Sequence, residues 1–415
     1  MTQHGTESSL ILFLIGGILI CAIWLRSEVR RIHVPPLVTF FILGILLRLG
    51  DTQLELLTTE TQEILRFLAK VGLVLLLFRV GLESNLSGLL SQLRRASIVW
   101  VGDIGVSGLL GFACAYYLLG LSWITSVIIA ASFTATSVGV TVSLWEESGA
   151  LDSSNGQLLV DVAELDDISA VVLMGLLFPI LRVLQQNGSV HLIPLLGKTA
   201  GISLLKLFMF GTFCLLFSKY AEKRITTYFK EMCRASDPML VVLAIGLCIA
   251  ALADMLGFSV AIGAFFAGLV FSRDPEAVKM ETSIIPLYEL FTPFFFIGIG
   301  LDIAPDQLIS ALGLGTILFV AAVVGKVLGD GLMVGAISGV KDGFLIGSSM
   351  VPRAEIAMVI MQQALELGDW AMPDKIFGAM VFVSAATCII GPLIVKSLLN
   401  RWPQHTHSQQ RDPEG

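Results

Sequence analysis

Charged residues are scarce in this chain: 14% of its 415 residues are Asp, Glu, Lys or Arg, against about 25% in a typical soluble domain. Hydrophobic residues make up 55% of the chain, and the mean hydropathy is +0.85. This balance leaves no room for a large soluble domain. It predicts an all-α polytopic membrane protein in which nearly every residue belongs to a transmembrane helix or a short loop.

Motifs of enzyme chemistry are also missing. The six cysteines have no CxxC or other metal-ligand spacing. No HExxH, GxSxG or paired GxGD motif occurs, which excludes the common membrane metalloprotease, serine hydrolase and aspartyl protease sites. We therefore predict a protein that is not an enzyme, holds no cofactor, lies in a lipid bilayer and binds no nucleic acid.

Apolar runs are what the chain has in abundance. The first run, residues 10–25, follows no Lys or Arg, so it predicts a retained helix rather than a cleaved signal peptide. Runs separated by polar, Gly or Pro breaks predict about thirteen transmembrane helices in all. They centre on residues 10–25, 35–50, 64–82, 97–119, 122–143, 156–182, 192–218, 238–255, 257–272, 284–302, 307–331, 342–365 and 375–398, before a polar tail at 401–415.

Basic residues lie in alternate loops. Arg30–Arg31, Arg94–Arg95 and the basic residues within 219–234 all follow odd-numbered predicted helices. The intervening loops carry acids instead, such as Asp51 and Glu366. Because short cytoplasmic loops are rich in Lys and Arg, this pattern predicts an external N-terminus, a cytoplasmic C-terminus and an odd number of helices.

Two short segments of the chain recur. Leu77–Glu83 resembles Phe296–Asp302, and Phe40–Gly44 resembles Phe265–Gly268. The recurrence matches predicted helices 2 and 3 with helices 9 and 10. A shift by an odd number of helices reverses the direction of crossing, so we predict an inverted repeat of helices 2–6 and 9–13. Such repeats are characteristic of secondary transporters that bind their ion near the membrane midplane.

The repeat predicts helix breaks at equivalent places. Predicted helix 5 contains the hydroxyl-rich run 132–139, and helix 12 contains the run 347–355, which includes Pro352. Proline removes a helical hydrogen bond, and non-helical backbone at membrane depth must be buried or line a wet cavity. We expect the two breaks to cross and to offer helix ends and free carbonyls to an ion. Ordinary packing of small residues is the alternative interpretation of the first run.

Two adjacent acids, Asp166 and Asp167, lie within the apolar run 158–178. Each costs at least ~2.5–3.5 kcal/mol at that depth, so the pair predicts a functional site. Neighbouring helical residues point about 100° apart, so one acid can face a cation, for which Lys326 is available, while the other faces a cavity. A carboxyl group that binds either a proton or a Na⁺, Li⁺ or K⁺ ion is the minimum machinery of exchange. A structural charge cluster is the alternative.

Further charges accompany the aspartate pair. Asp161 and Glu164 form a row with Asp167 at a spacing of three residues, which predicts either an ion funnel or solvated residues near the membrane edge. Arg353 and Glu355 lie two residues apart at the second predicted break. We interpret them as a structural salt bridge with each other or with neighbouring charges.

Asp103, Asp330 and Arg79 lie close to the ends of their predicted helices. Charged side chains at helix ends commonly extend towards water along the membrane interface. We therefore expect these three to snorkel rather than to belong to the site.

As an ordered set, these residues resemble the monovalent cation:proton antiporters, in the branch that includes the Kef-type and NapA-type transporters. The resemblance covers nearly the whole chain and rests on Leu77–Glu83, Thr134–Gly139, Asp166–Asp167, Lys326 and Pro352–Glu355. It implies a NapA/NhaA-like fold, a homodimer and a bacterial inner membrane. A separate regulatory subunit is compatible with the sequence, but nothing in it indicates one.

The resemblance also implies a division of the transmembrane domain, residues 1–400, into parts. Residues of about 1–82 and 238–302 would form a dimerisation scaffold, about 192–218 a linker helix, and about 97–182 and 307–398 a core. In such proteins the core slides past the scaffold with its ion, an elevator-type alternating access.

The resemblance assigns roles to the candidate residues. Asp167 is the shared carrier of proton and ion, Asp166 forms a switching salt bridge with Lys326, and Thr136 helps to coordinate the ion. Lys326 could release its own proton when the ion binds. A double aspartate with a lysine is the pattern of electrogenic Na⁺/H⁺ exchange, whereas Kef-type systems more often have a Gln-Asp pair and a nucleotide-binding C-terminal domain.

The predicted function is therefore exchange of protons for Na⁺, or Li⁺. A K⁺/H⁺ antiporter or K⁺ efflux system is the alternative. A sodium-coupled symporter of an organic anion is less favoured, since it needs a roomy polar cavity and a second sodium site. A channel would give flux that is uncoupled from pH.

Overall fold

The structure is a computed structural model that describes residues 2–30, 35–54, 57–84, 86–137, 139–187, 192–222, 224–225, 227–228, 238–272, 277–303 and 305–404. All regular elements in these residues are helical, which confirms the all-α prediction. In chain order the main helices are α1 (Thr2–Arg30), α2 (Pro36–Leu54), α3 (Thr59–Glu83), α4 (Leu86–Ala113), α5 (Trp123–Thr134), α6 (Gly139–Glu147), α7 (Ser154–Asn187), α8 (Leu192–Leu216), α9 (Pro238–Met255), α10 (Val260–Phe271), α11 (Ala277–Leu301), α12 (Leu308–Ser338), α13 (Val340–Ser349), α14 (Glu355–Glu366) and α15 (Asp374–Arg401).

Each predicted transmembrane range coincides with one helix or, for the fifth and twelfth ranges, with two half-helices, α5 with α6 and α13 with α14. Within the described residues, eight helical segments are long and apolar enough to cross a bilayer by themselves. Others, such as α10, are apolar but short. The total of about thirteen crossings stays a prediction, because a full crossing takes roughly 20 apolar residues.

Several helices are longer than predicted, and two of the extensions bear on the site. Helix α4 begins at Leu86 rather than near residue 97, and α12 ends at Ser338 rather than near residue 331. The first turns of α4 mix leucines with Ser, Gly, Gln and the pair Arg94–Arg95, so they do not form a continuous apolar run that a hydropathy pattern would reveal. At the far end of α12, Gly339 adopts a φ of 107°, a conformation that a β-carbon disfavours. This glycine turns the chain within one residue, so that α13 packs back along α12.

The most extensive helix contacts fall into two groups. In one group, α3 packs against α10 and α11, α2 packs against α11, and α9 packs against α10. In the other, α12 packs against α4, α13 and α15, and α4 also packs against α5 and α7. Helix α8 contacts α7 of the second group and α10 of the first. The half-helices therefore lie in the group that also contains the aspartate-bearing α7.

Glycines allow two crossings in the first group to come into backbone contact. At Gly300 of α11, an added β-carbon would meet the Phe41 carbonyl oxygen of α2 and lie 2.8 Å from the Gly44 Cα atom. At Gly268 of α10, it would meet the Phe78 carbonyl oxygen of α3. The recurring segments of α2 and α3 thus contact those of α11 and α10, respectively. The inverted repeat itself stays a prediction.

Gly300→Ala is expected to destabilise the protein by roughly 1–3 kcal/mol, because the new methyl group meets backbone atoms that cannot rotate away. The measurement is thermal unfolding of the purified protein in detergent. Gly313→Ala in α12 is the matched control, since a β-carbon there has nothing within 4 Å and alanine favours the helix. Equal unfolding temperatures for the two variants would contradict the close crossing.

Candidate functional site

The two predicted helix breaks meet. Helix α5 ends at Thr134 and α6 begins at Gly139, while α13 ends at Ser349 and α14 begins at Glu355. The Ser137 backbone N–H donates to the Pro352 carbonyl oxygen at 2.8 Å, which joins one break directly to the other. Four half-helix ends therefore converge on one region, each with a dipole end and with backbone groups that have no partner within their own helix.

Lys326 of α12 is completely buried beside these breaks. Its ammonium group donates to Asp166 Oδ2 at 2.8 Å, to Asp103 Oδ2 at 2.5 Å and to the Thr134 carbonyl oxygen at 3.2 Å. These contacts employ all three donors of an ammonium group. The structure thus brings together Asp166 and Lys326, which the sequence analysis paired, and adds Asp103 as a second counter-ion.

The expectation that Asp103 and Asp330 snorkel is wrong. Both side chains are fully buried, because α4 and α12 extend well beyond their predicted ends and place these acids in the middle of the fold. The Asp103 carboxylate also accepts a hydrogen bond from Ser107 Oγ at 2.9 Å. The only sequence signal that could have identified Asp103 is its position in an apolar run, since its partner Lys326 lies 223 residues away.

Thr136 lies in the first break, between the buried cluster and a cavity. Its hydroxyl donates to Asp166 Oδ2 at 2.7 Å, and the residue also lines the cavity. The Asp166 Oδ2 atom therefore accepts from both Thr136 and Lys326. Its Oδ1 atom is buried and has no hydrogen-bond partner in the described part of the chain, so half of this carboxylate is available to another ligand.

Asp167 faces the cavity instead of the lysine. The cavity has a volume of about 1090 Å³ and is also lined by Thr136, Ser137, Glu164 and Glu355. The Asp167 Oδ1 atom is buried without a hydrogen-bond partner among the described residues. The two adjacent aspartates thus point in different directions, as the helical spacing predicts.

The opposite wall of the cavity is built by α1, α3 and α11. Arg79 pairs with Glu83 at 2.6 Å and lies 4.5 Å from the centre of the Tyr288 ring, and Arg26 pairs with Glu289 at 2.9 Å. All five residues line the cavity. The expectation that Arg79 snorkels stays a prediction, and its guanidinium group contacts an acid and an aromatic ring of the cavity wall.

The predicted row of acids on α7 is only partly on the cavity. Glu164 lines it together with Asp167, whereas Asp161 is not among the lining residues. The spacing explains the difference, since helical residues at i, i+3 and i+6 drift around the axis by about 60° at each step. The funnel interpretation thus fails for Asp161 and stays a prediction for Glu164.

The predicted salt bridge of Arg353 and Glu355 is wrong. Arg353 is buried and donates to the carbonyl oxygens of Val351 at 3.0 Å and Phe133 at 2.8 Å. Glu355 begins α14 and accepts a hydrogen bond from Ser137 Oγ at 2.5 Å. In the described residues neither side chain forms an ion pair. The two side chains diverge because Arg353 faces the carbonyl ends of the half-helices and Glu355 faces the amide end of α14, each matching the local dipole.

A cation at this site would find oxygen ligands of the kind that hard cations prefer. Asp167 offers a carboxylate oxygen and Thr136 a hydroxyl at the cavity wall. Asp166, which is not among the lining residues, adds a buried carboxylate oxygen without a partner in the described residues. Among the described residues no cluster of three or more His, Cys, Asp or Glu has the arrangement of a tight metal site. A site with few charged ligands beside a large cavity binds an ion weakly enough for the ion to be released again, as transport requires.

Several known proteins are similar to this chain. Residues 15–401 match the family "Sodium/hydrogen exchanger, transmembrane". The high-affinity Na⁺/H⁺ antiporter NhaS3 of Synechocystis sp. is 25% identical over 339 residues, which cover 80% of this chain and 70% of that protein. The Na⁺/H⁺–K⁺ antiporter GerN of Bacillus cereus is 26% identical, with 81% of this chain and 84% of that protein covered.

A solved structure shares the fold. The sodium proton antiporter MjNhaP1 of Methanocaldococcus jannaschii, at pH 8, superposes with a TM-score of 0.68 over 95% of this chain and 97% of that chain, at 15% sequence identity. At this identity the likeness concerns the fold alone. Together with the apolar helices and the family match over nearly the whole sequence, it shows a multi-pass integral membrane transporter, and this chain belongs to the sodium/hydrogen exchanger family.

Proposed function

We propose that this chain is a secondary antiporter that exchanges protons for Na⁺ or Li⁺. The observation that carries the proposal is the Asp167 carboxyl group, which faces a cavity of about 1090 Å³ with a buried, unpartnered oxygen, beside two helix breaks that meet. A carboxyl group in such a place can hold a proton or a cation, but not both. Competition between the two ligands couples their movements in opposite directions.

Asp166 and Lys326 form the switch next to the carrier. While the site holds a proton on Asp167, Asp166 stays bonded to Lys326. An arriving cation attracts the free oxygen of Asp166 and the Thr136 hydroxyl oxygen, which weakens the contact with Lys326. Asp103 remains bonded to Lys326 during this change, so the ammonium group is never left without a buried counter-ion.

The movement that we propose is a sliding of a core past a scaffold. Residues of about 97–182 and 307–398 form the core, about 1–82 and 238–302 the scaffold, and about 192–218 the linker. The two groups of tightly packed helices support this division, and the cavity lies between them. We further propose a homodimer through the scaffold, in a bacterial inner membrane with an external N-terminus and a cytoplasmic C-terminus. No resident cofactor takes part, since cation and proton are cargo.

The relatives support sodium as the first candidate, because NhaS3 and MjNhaP1 are named for sodium and proton antiport. GerN is named for K⁺ as well, so a K⁺/H⁺ antiporter is the second candidate. The large cavity does not decide between the ions, since selectivity depends on the few oxygens that replace the water of hydration.

The test is transport in liposomes that contain the purified protein, an imposed pH gradient and a pH-sensitive dye. Addition of Na⁺ or Li⁺ is expected to move protons in the opposite direction and restore the dye signal, whereas a sodium-free organic anion salt is expected to have no effect. Protein-free liposomes are the control. A response to K⁺ that exceeds the response to Na⁺ would favour the alternative, and no proton movement with any of the three cations would contradict antiport.

A further inference from the structure

Two adjacent glutamines on α14 form hydrogen bonds that cross between the two groups of helices. Gln362 Nε2 donates to Asp302 Oδ2, at the end of α11, at 2.8 Å. Gln363 Nε2 donates to Ser259 Oγ at 2.9 Å, and Ser259 caps the beginning of α10. Helix α14 belongs to the proposed core, and both partners belong to the proposed scaffold.

The donor assignment of Gln362 follows from chemistry. A carboxylate only accepts hydrogen bonds, so the amide nitrogen and not the amide oxygen must face Asp302. The Gln362 side chain is partly buried, and its amide oxygen has no partner among the described residues. Among the described residues, this one hydrogen bond is therefore the only one that holds the Gln362 side chain in place.

These bonds lie beyond the cavity along α11. The cavity-lining residues of this helix run from Pro286 to Phe296, and Asp302 follows Phe296 by about 9 Å of helix, at the end of α11. None of the four bonded residues lines the cavity. Ser259 and Gln363 instead line a crevice between α7 and α10 that has no room for a water molecule. We call this end the closed face and the end with the cavity the open face.

Helix α14 links the closed face to the ion site. It begins at Glu355, which lines the cavity and bonds to Ser137. Gln362 follows about two helical turns later, or roughly 10 Å along the axis. A half-helix of this length moves as a rigid rod, so an ion site that changes sides must pull both glutamines away from the scaffold.

From this geometry we infer that Gln362 and Gln363 are positioning residues that hold the core in the conformation closed at this face. The inference rests on the proposed two-part movement. Both bonds break before the site can open at the closed face, and they form again when it returns. They thereby set the fraction of molecules that can accept a cation from that side.

Removing one bond raises the population that is open at the closed face. A net hydrogen bond changes such an equilibrium by roughly two- to tenfold. The apparent affinity at a face scales with the fraction of molecules that is competent to bind there. The KM for Na⁺ at the closed face is therefore expected to fall by that factor, while the KM at the open face, where most molecules are already competent, changes little.

The experiment measures Na⁺-dependent proton movement in liposomes with the protein in one known orientation, with Na⁺ added from each side in turn. Gln362→Ala and Gln363→Ala are tested separately, so that one unstable variant does not end the test. Asp302→Asn is the conservative variant, since its amide oxygen can still accept from Gln362, and Asp302→Ala removes the acceptor. The expected result is a lowered KM at the closed face for the three alanine variants and wild-type values for Asp302→Asn.

Gln185→Ala is the matched control. Its amide donates to the Leu367 carbonyl oxygen at 3.3 Å near the same end of the molecule, but both residues lie on the core side. It is expected to leave both KM values unchanged. Equal effects of the alanine variants at the two faces, or none, would overturn the inference while wild-type exchange persists. Loss of exchange in the wild-type protein would instead contradict the proposed function.

Discussion

Asp167→Asn is expected to abolish coupled exchange. Asparagine keeps the shape of the side chain but can neither bind a proton nor neutralise a cation. Loss of a charged partner for a buried ion costs about 3–5 kcal/mol, which corresponds to roughly two to four orders of magnitude in affinity. The measurement is the dye response to Na⁺ and Li⁺ in liposomes, together with direct binding of the cation to the purified variant.

Asp161→Asn provides the matched control for this prediction. It makes the same chemical change on the same helix, but Asp161 does not line the cavity. We expect this variant to retain exchange within about twofold of the wild-type rate, in line with the small effect of substitutions outside a site. If Asp167→Asn retained normal affinity and proton coupling, another group would have to be the carrier.

Lys326→Met is expected to cause the largest loss of stability. Methionine has a similar length, but it leaves the Asp103 and Asp166 carboxylates buried without their shared ammonium partner. Breaking a buried ion pair in this way costs about 3–5 kcal/mol. The expected result is a lowered unfolding temperature in detergent, or failure to accumulate as a folded protein. Exposed Lys198→Met is the control, with an expected change within about 0.5 kcal/mol.

A second substitution separates the electrostatic effect from lost packing. In the double variant Lys326→Met with Asp103→Asn, one of the two stranded charges is gone, so the double variant is expected to be more stable than Lys326→Met alone. The reason is that the changes in unfolding free energy caused by substitutions within one ion-pair network do not add up. A double variant that is as unstable as the sum of the single ones would indicate that Asp103 and Lys326 act independently.

The helix breaks show what a local pattern can reveal. The hydroxyl-rich run before Gly139 and the run around Pro352 identified both breaks, because the loss of a backbone donor at a proline acts within its own helix. The shape of the site could not be derived in the same way. Arg353 and Glu355 are neighbours in sequence, yet they contact different helix ends, since the break between them turns the chain.

Asp103 is the clearest case of a site residue whose role cannot be predicted from the sequence. Its charge within an apolar run is visible in the sequence, but the hydropathy pattern predicts too short a helix and therefore favours snorkelling. The contact with Lys326 at a separation of 223 residues depends on how closely α4 and α12 approach. That approach is possible because residue 329 is a glycine and has no side chain. A β-carbon on Gly329 would lie 2.9 Å from the Asp103 Cα atom, and only glycine allows two helix backbones to come so close.

The sequence by itself determined that this chain is a helical membrane protein, where its helices break, and that Asp166, Asp167 and Lys326 needed a function. These properties follow from the transfer of each segment from water into a bilayer, which depends on that segment alone. Only the tertiary structure decided that Asp103 shares Lys326, that Asp167 rather than Asp161 faces the cavity, and that Gln362 bonds across the two groups of helices. The physical reason is that a buried charge or amide takes its partner from whichever helix packs against it, and helix packing is a property of the whole fold.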